Sequence, residues 1–299
     1  MPDAGGSVVS SQRETTMAIT QVLLPLVSYP KATEAAAIVK AVAVAQRLGA
    51  GITAIAFDLD VLIPGSLQTR PQNSDSLVVE TPEHQKSHLN ATQMIKAFEA
   101  AADAAAVRHS HIVRRCVAED VPALVATCAR THDLALVPIA PFDDACEKIV
   151  AALIFESGRP LLICAEHSVG ELPDGFGHVA IAWDNSQQSA RAVADAMPLL
   201  KIASTVSIFT AADKNAAADI DSGAALVRHL DAHGVKATFE IVRKNGSSTG
   251  KVFEAFVQQN RIDLLVMGAY RHSRLRELIM GGATNTVVGR PPCWVMMSH

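Results

Sequence analysis

Short continuous apolar runs alternate along the chain with longer, often Ala-rich segments whose apolar positions recur at helical spacing. Such runs are typical of strands buried on both faces of a parallel sheet, and the longer segments are typical of the helices that cover it. The runs predict strands at Val22–Leu26, Ile52–Phe57, Ile112–Val117, Leu134–Ile139, Leu161–Cys164, Val179–Trp183, Thr205–Phe209, Ala237–Val242, Leu264–Met267 and Cys293–Met297. The segments predict helices at Lys31–Leu48, His84–Val107, Val121–Thr131, Gln188–Leu200, Asp219–His233 and Gly250–Asn260, near Glu147–Phe155, and from near Gly282. The alternation predicts an α/β fold with a doubly wound, Rossmann-like parallel sheet and right-handed crossovers.

The two halves of the chain are copies of one unit. Three matched pairs occur in the same order in both halves: Ile112-Val113-Arg114 with Ile241-Val242-Arg243, Asp133-Leu134 with Asp263-Leu264, and Gly158-Arg159-Pro160 with Gly289-Arg290-Pro291. The separation between partners grows by one residue from each pair to the next, as single insertions would produce. The chain is therefore predicted to contain two tandem domains.

The predicted domains have definite bounds. We expect a disordered tail over 1–16, a first domain over 17–168 and a second domain over 169–299. The link between the domains is expected near Ala165–Phe176, which contains turn-forming Gly and Pro residues. The segment Asp60–Ser87 carries several Pro, Ser and Asn residues and has no counterpart of that length in the second half. It is predicted to be a surface excursion between the second strand and the second helix.

Composition and charge narrow the classes of function. Hydrophobic residues make up 49% of the 299 residues and the net charge is -4, so the basic face of a nucleic-acid-binding protein is not expected. No apolar run approaches the roughly 18 residues that span a bilayer, and the amino-terminal segment lacks the features of a secretory signal. The 5 cysteines form no Cys-x-x-Cys pair, which favours a reducing compartment. We therefore expect a cytoplasmic protein.

The segment after Leu264–Met267 has the features of an anion-binding loop. Its glycines, Gly268 and Gly281-Gly282, bracket a basic stretch. In a doubly wound sheet, ligands bind beyond the carboxyl ends of the strands, where the strand order switches. Gly268 would let backbone approach a ligand, and Gly281-Gly282-Ala283 would open the last helix with free N–H groups, with the Thr284 hydroxyl in the first turn. Ordinary turn chemistry explains such a glycine pair equally well.

This loop resembles that of the universal stress proteins. Their last long loop carries G-x2-G-x9-G-(S/T), and their first strand ends in an Asp within DGS. Here Gly268 is followed by Arg271, then by nine residues and Gly281, and the segment AWDNSQQSARAVADAMPLL places Asp184 at the corresponding turn. The resemblance runs in order from about residue 19 to 297. It implies two tandem universal stress domains with the fold of the adenine nucleotide alpha hydrolases.

The resemblance also implies where a nucleotide would bind. In family members that bind ATP, the Asp contacts adenine or ribose, and the glycine loop and the start of the next helix hold the phosphates. The family pattern changes at Arg271, which replaces the second glycine, and at Gly282, which replaces the Ser or Thr. The candidate nucleotide-binding residues of the second half are Asp184, Met267, Gly268, Arg271, Gly281, Gly282, Ala283 and Thr284.

Arg271 acts on nucleotide binding in two opposite ways. A side chain at this position disfavours a left-handed backbone by about 1 kcal/mol or more. A guanidinium at the same position could pair with a phosphate. Loss and retention of the nucleotide are both compatible with the sequence.

The first half lacks the features of the candidate site. Pro138 stands at the position of Gly268 and has no N–H to offer, and Val27 stands at the position of Asp184. Asp143 and Asp144 fall near the start of the following helix, where they would repel a phosphate. We therefore expect ATP or AMP, with no metal beyond the Mg²⁺ of the nucleotide, in the second half only.

Two other motifs are weaker. The segment Asn245–Phe253, NGSSTGKVF, is one residue short of a GxxxxGK[ST] loop, and Val252 stands where a magnesium-binding hydroxyl is needed. A loop with serine caps is expected there instead. His84 and His88 stand one helical turn apart and could share a metal, but nothing nearby completes a ligand set, so an exposed helix face is expected. No Ser-His-Asp or Cys-His catalytic set is recognisable.

These features predict a stress-response protein that binds or senses an adenine nucleotide at one site at most. The alternative is a nucleotide-free scaffold or chaperone-like protein that acts through protein–protein contacts. An enzyme is not expected, although a slow ATPase stays open. The halves are expected to form an internal pseudo-dimer through their final strands, Pro160–Cys164 and Pro292–Met297. An unknown protein partner is expected and a further homodimer is left open, without nucleic acid or membrane binding.

Overall fold

The computed structural model describes residues 19–60, 81–139, 143–165, 176–213, 217–269 and 287–299. The strands of the first half are β1 (Gln21–Leu26), β2 (Gly51–Leu59), β3 (His109–Cys116), β4 (Leu134–Ile139) and β5 (Leu161–Ala165). The helices of the first half are α1 (Ala35–Leu48), α2 (Pro82–Ala104), α3 (Val121–Ala129) and α4 (Asp144–Glu156).

The second half repeats this succession of elements. Its strands are β6 (His178–Ala182), β7 (Thr205–Ala212), β8 (Ala237–Arg243), β9 (Leu264–Gly268) and β10 (Trp294–Ser298). Its described helices are α5 (Gln187–Leu200), α6 (Ala217–Ala232) and α7 (Thr249–Asn260). The predicted start of the last helix near Gly282 lies outside the described residues, and residues 287–289 are helical.

Within the described ranges, the strands form a single ten-stranded sheet in the order β3-β2-β1-β4-β5-β10-β9-β6-β7-β8. Each half contributes five neighbouring strands that run parallel to one another. The order of the strands switches between β1 and β4 in the first half and between β6 and β9 in the second. The predicted α/β fold with two tandem doubly wound sheets is confirmed.

The two halves meet where β5 pairs antiparallel with β10. Leu161 lies opposite Met297 and Ile163 lies opposite Val295, and all four side chains are buried. Because equivalent strands of the two copies meet antiparallel, an approximate two-fold axis relates the halves. Each final strand covers the edge of the other, so neither half presents an unpaired edge at the junction.

Helices cover both faces of the sheet and create two apolar cores. One core packs α1, α2, α5 and α6 against the strands and includes Phe98 and Leu230. The other packs α3, α4 and α7 against the opposite face and includes Phe57 and Phe209. Successive side chains of a strand point to opposite faces, so the continuous apolar runs of the sequence supply both cores.

The second helix begins earlier than the sequence analysis predicts. The Thr81 hydroxyl accepts a hydrogen bond from the N–H of His84 at 3.1 Å, and Pro82 occupies the first turn. The predicted excursion over Asp60–Ser87 is therefore wrong at its end, where α2 has already started. Its part over 61–80 lies outside the described residues, as do the tail over 1–16 and the boundary between 168 and 169.

The first helix begins later than predicted, at Ala35 instead of Lys31. The Val27 N–H donates to the Thr33 hydroxyl at 3.0 Å, and the Thr33 N–H donates back to the Val27 carbonyl at 2.9 Å. These two hydrogen bonds hold the chain between the two residues as a loop at the end of β1. This loop forms one wall of a cavity in the first half.

The matched aspartates of the two halves, Asp133 and Asp263, make equivalent hydrogen bonds. The Asp133 carboxylate accepts hydrogen bonds from the Thr20 N–H at 2.8 Å, the Thr20 hydroxyl at 2.7 Å and the Gln21 N–H at 3.0 Å. The Asp263 carboxylate accepts from the His178 N–H at 2.8 Å. Each carboxylate therefore ties the start of the first strand of its half to the loop before the fourth strand.

Replacing Asp133 with Ala is expected to lower the free energy of unfolding by about 1–3 kcal/mol at neutral pH, because charge-assisted hydrogen bonds are lost. Burial raises the pKa of the Asp133 carboxyl, but hydrogen bonds from Thr20 and Gln21 and the charge of Arg159 outweigh burial and hold the pKa below its ordinary value. The carboxylate therefore stabilises the fold above the unfolded-state pKa of about 4. This contribution is lost as the pH falls through the lower folded-state pKa.

Urea unfolding of the wild type and of Asp133→Ala, followed from neutral pH to about pH 3, measures this difference. The gap in unfolding free energy between the two proteins should narrow over the acidic part of that range. A gap that stays constant would show that the charge of Asp133 contributes nothing.

Candidate functional site

The candidate site of the second half lies where β6 and β9 end. Ala182 of β6 and Met267 of β9 are the last paired residues of the two strands, so Gly268 follows directly after the pairing and Asp184 follows after Trp183. The carboxyl ends of adjacent parallel strands meet at one edge of a sheet, and the switch between β6 and β9 is the place where a crevice forms. The structure therefore brings Asp184, Met267 and Gly268 to the same edge.

Asp184 stands in a tight turn between β6 and α5. Its carboxylate accepts a hydrogen bond from the Ser186 N–H at 3.1 Å, and Asn185 between them has a φ of 56°, in the left-handed region that Asn tolerates. Ser186 then caps α5 by accepting from the Ser189 N–H at 3.1 Å in a capping box. Asp184 is exposed, so one of its carboxylate oxygens builds the turn and its side chain still faces outward.

Gly268 packs directly against the start of α5. A Cβ at this position would lie 2.5 Å from the Ser189 backbone nitrogen and 2.7 Å from the Gln188 carbonyl carbon. Backbone atoms at such distances cannot yield as a flexible side chain can. The glycine is therefore required by the close approach of helix and strand, a reason that the sequence analysis missed when it attributed Gly268 to a ligand.

The rest of the candidate phosphate loop falls outside the described residues. Met267, which precedes Gly268, is buried and belongs to the core beneath α7. The Ala269 N–H after Gly268 donates to the Ser298 carbonyl at 2.8 Å and extends the pairing of β9 with β10. The site residues that lie outside the described ranges are Arg271, Gly281, Gly282, Ala283 and Thr284.

The first half has different residues at the same positions. Val22 pairs with Leu134 in the first half as Val179 pairs with Leu264 in the second. This register puts Val27 at the position of Asp184 and Pro138 at the position of Gly268, as the sequence analysis predicts. Val27 is buried, so the first half has no carboxylate at the position that Asp184 holds in the second half.

A cavity of about 890 Å³ opens at the switch point of the first half. It lies at the carboxyl ends of β1 and β2 and at the start of α4. No single stretch of sequence forms this cavity, so the sequence does not predict it. Its walls are Val27, Ser28, Tyr29, Pro30, Lys31, Phe57, Leu59, Ala118, Glu119, Val121, Pro122, Asp143, Asp144, Ala145, Lys148 and Ile149.

Comparison with known proteins agrees with this geometry. Residues 175–299 match the family model described as the universal stress protein family. The second half of the chain is therefore similar to a universal stress protein domain over these residues. No curated protein matches the sequence.

Solved structures extend the likeness to the whole chain. A universal stress protein from Archaeoglobus fulgidus DSM 4304 is similar with a TM-score of 0.68 at 13% identity, over 93% of this chain and 95% of that chain. A functionally unknown protein from Pseudomonas aeruginosa PAO1 is similar with a TM-score of 0.53 at 13% identity, over 94% of this chain and 92% of that chain. At this identity the likeness shows the fold of the chain.

The segment that resembles a P-loop forms a turn and a helix cap. Asn245 and Gly246 have φ values of 47° and 80°, and the Ser248 hydroxyl accepts from the Lys251 N–H at the start of α7. The sequence analysis predicts such a capped loop, and the structure confirms it. Among the described residues, no helix is both long and apolar enough to cross a membrane.

His84 and His88 pair with one carboxylate. His84 Nε2 lies 3.2 Å from one oxygen of Asp58, and His88 Nδ1 lies 3.0 Å from the other. His88 is exposed, but His84 is buried, so the expectation of an exposed helix face is wrong for His84. In the part of the chain that the structure describes, no group of three or more His, Cys, Asp or Glu residues could hold a metal ion.

Replacing Gly268 with Ala is expected to lower the free energy of unfolding of the ligand-free protein by about 1–3 kcal/mol, because the new methyl group overlaps the α5 backbone. The matched control is Gly289→Ala, where the nearest atom to the added Cβ, Glu147 Oε1, lies 3.9 Å away. That change should be neutral or stabilising by up to about 1 kcal/mol. Urea denaturation measures both, and wild-type stability of Gly268→Ala would rule out the packing role.

Proposed function

We propose that this universal stress protein binds one adenine nucleotide, ATP or AMP, at the switch point of its second half and signals through the nucleotide-bound state. The observation that carries the proposal is the exposed Asp184 beside Gly268, where the first half has a buried Val27 beside Pro138. The resemblance to nucleotide-binding family members gives the Asp the role of an adenine or ribose ligand.

Asp184 suits this role because its position is fixed. The hydrogen bond from Ser186 and the capping box of α5 hold the turn, so the carboxylate needs little ordering when a ligand arrives. A ribose hydroxyl or an adenine amino group donates hydrogen bonds, and a carboxylate accepts them. Gly281, Gly282, Ala283 and Thr284 would hold the phosphates, as the family pattern implies, and Arg271 stands where that pattern has its second glycine.

The chain is proposed to act by binding and not by catalysis. The proposal includes no metal other than the Mg²⁺ that accompanies a nucleotide. An adenine nucleotide that changes the surface of the second half would alter contacts with a protein partner, and such a switch requires no turnover. The compartment we propose for this function is the cytoplasm.

The second candidate function is a nucleotide-free scaffold or chaperone-like protein. Gly268 favours it to some degree, because the packing of α5 explains this glycine without any ligand. The two functions differ in one measurable property, the response of the protein to ATP or AMP.

Replacing Asp184 with Ala should weaken ATP and AMP binding by about tenfold, the effect of losing one charge-assisted hydrogen bond. Trp183 is buried next to Asp184, and the chain has 2 tryptophans. Replacing Trp294 with Phe therefore leaves Trp183 as the single fluorescent reporter for the titration. The control Val27→Ala changes the corresponding residue of the first half and should leave the affinity unchanged.

Two outcomes of this titration would contradict the proposal. Equal affinity of Asp184→Ala and its parent would exclude the role of Asp184. The absence of binding by the parent itself, checked by calorimetry, would favour the scaffold.

Replacing Arg271 with Gly should raise the affinity for ATP, because it restores the glycine spacing of the family and removes a side chain from the loop. The resemblance motivates this direction, since Gly282 has also lost the hydroxyl of the family pattern and two changes in one loop indicate a relaxed site. Calorimetry on the variant and on the wild type measures the change. A loss of affinity of about tenfold or more would instead assign the guanidinium to the phosphates.

A further inference from the structure

The cavity of the first half is large enough for a small molecule. Its volume of about 890 Å³ falls within the roughly 300–1,000 Å³ of small-molecule sites. The cavity also occupies the switch point between β1 and β4, the place in a doubly wound sheet where ligands bind.

The interior of the cavity is apolar. Phe57 and Leu59 at the end of β2 face Val121 of α3 and Ile149 of α4, and these four side chains are buried. The one buried hydroxyl among the wall residues is that of Ser28, and it already has hydrogen-bond partners within the protein. It donates to the Phe57 carbonyl at 2.6 Å and lies 2.9 Å from the Ser87 hydroxyl. A ligand would therefore gain its affinity mainly from apolar contact.

A carboxylate of the protein occupies the place in the cavity where an anion would bind. The Asp143 carboxylate accepts hydrogen bonds from the Ala145 N–H at 3.0 Å and the Cys146 N–H at 3.2 Å at the start of α4. The start of α4 is where a phosphate would bind in this fold, because the free N–H groups and the helix dipole attract negative charge. With the carboxylate of Asp143 in that place, a second negative charge would be repelled.

The other charges around the cavity do not reverse this preference. Glu119 and Asp144 add two carboxylates to that of Asp143, and two lysines oppose them. The Lys31 ammonium lies 3.4 Å from the Glu34 carboxylate. Lys148 stands one helical turn after Asp144 on α4, where the two side chains are neighbours.

We propose that the first half binds an uncharged, largely apolar small molecule in this cavity. The tandem chain then carries two different ligand sites. In the first of them, the Asp143 carboxylate lies where the phosphate of a nucleotide would bind. The proposal is independent of nucleotide binding in the second half.

Two naphthalene derivatives of equal shape test the charge preference. Naphthalene-2-carboxamide is neutral, and naphthalene-2-carboxylate carries one negative charge at neutral pH. The full-length protein should bind the carboxamide at least about tenfold more tightly than the carboxylate, because the latter meets Asp143. The fluorescence of the naphthalene ring reports binding of both probes, and added ATP should not displace the carboxamide.

Two substitutions place the probe in the cavity. Ala145→Trp puts a bulky side chain on a wall residue and should abolish carboxamide binding, whereas Ala255→Trp on the exposed face of α7 should leave it unchanged. Asp143→Asn keeps a side-chain cap for α4 and removes the charge. It should narrow the gap between the probes by strengthening carboxylate binding, while thermal unfolding confirms that the variants are folded.

The outcomes decide the proposal. A carboxamide that binds the wild type and Ala255→Trp but not Ala145→Trp, with weaker carboxylate binding, supports it. Absence of carboxamide binding overturns it, as does carboxamide binding that Ala145→Trp leaves intact. A carboxylate that binds as tightly as the carboxamide also overturns it.

Discussion

The antiparallel pairing of β5 with β10 is the contact on which the organisation of the molecule depends. It joins two parallel five-stranded sheets into one sheet and buries the edge strand of each half. Strands run parallel within each half and antiparallel at the junction. The strands of the two halves therefore have their carboxyl ends on opposite sides of the common sheet. The two switch points therefore face away from each other, and each can take its own ligand.

The two switch points have diverged on the same framework. In the second half, the turn after β6 presents the exposed Asp184, and Gly268 lets α5 pack closely against β9. In the first half, Val27 is buried and hydrogen-bonded to Thr33, and Asp143 caps α4 where a phosphate would otherwise bind. Such local changes on a repeated framework would give one fold two sites of different chemistry, the proposed nucleotide site and the proposed apolar site.

The fold could be predicted from the sequence because its signals are local or repeated. Apolar runs predict the strands, and matched motifs such as Asp133-Leu134 and Asp263-Leu264 predict the tandem arrangement. The start of α2 could also be predicted from the sequence, because Thr81-Pro82 is a helix cap followed by a first-turn proline. The sequence analysis instead assigned these residues to the polar segment that precedes them.

Other features depend on contacts between distant residues and could not be predicted. The role of Gly268 depends on how close α5 comes, which no pattern in the loop itself reveals. The cavity depends on the loop that the Thr33–Val27 hydrogen bonds hold at the end of β1, and on walls from β2, α3 and α4. The register of β1 with β4, in contrast, places Pro138 and Val27 where the internal repeat predicts them.

We propose that one chain holds one adenine nucleotide, in its second half. Calorimetric titration of the full-length protein with ATP measures the number of sites directly. We expect one nucleotide per chain. Two nucleotides per chain would contradict the interpretation of Val27, Pro138 and Asp143, and no binding at all would contradict the assignment of Asp184.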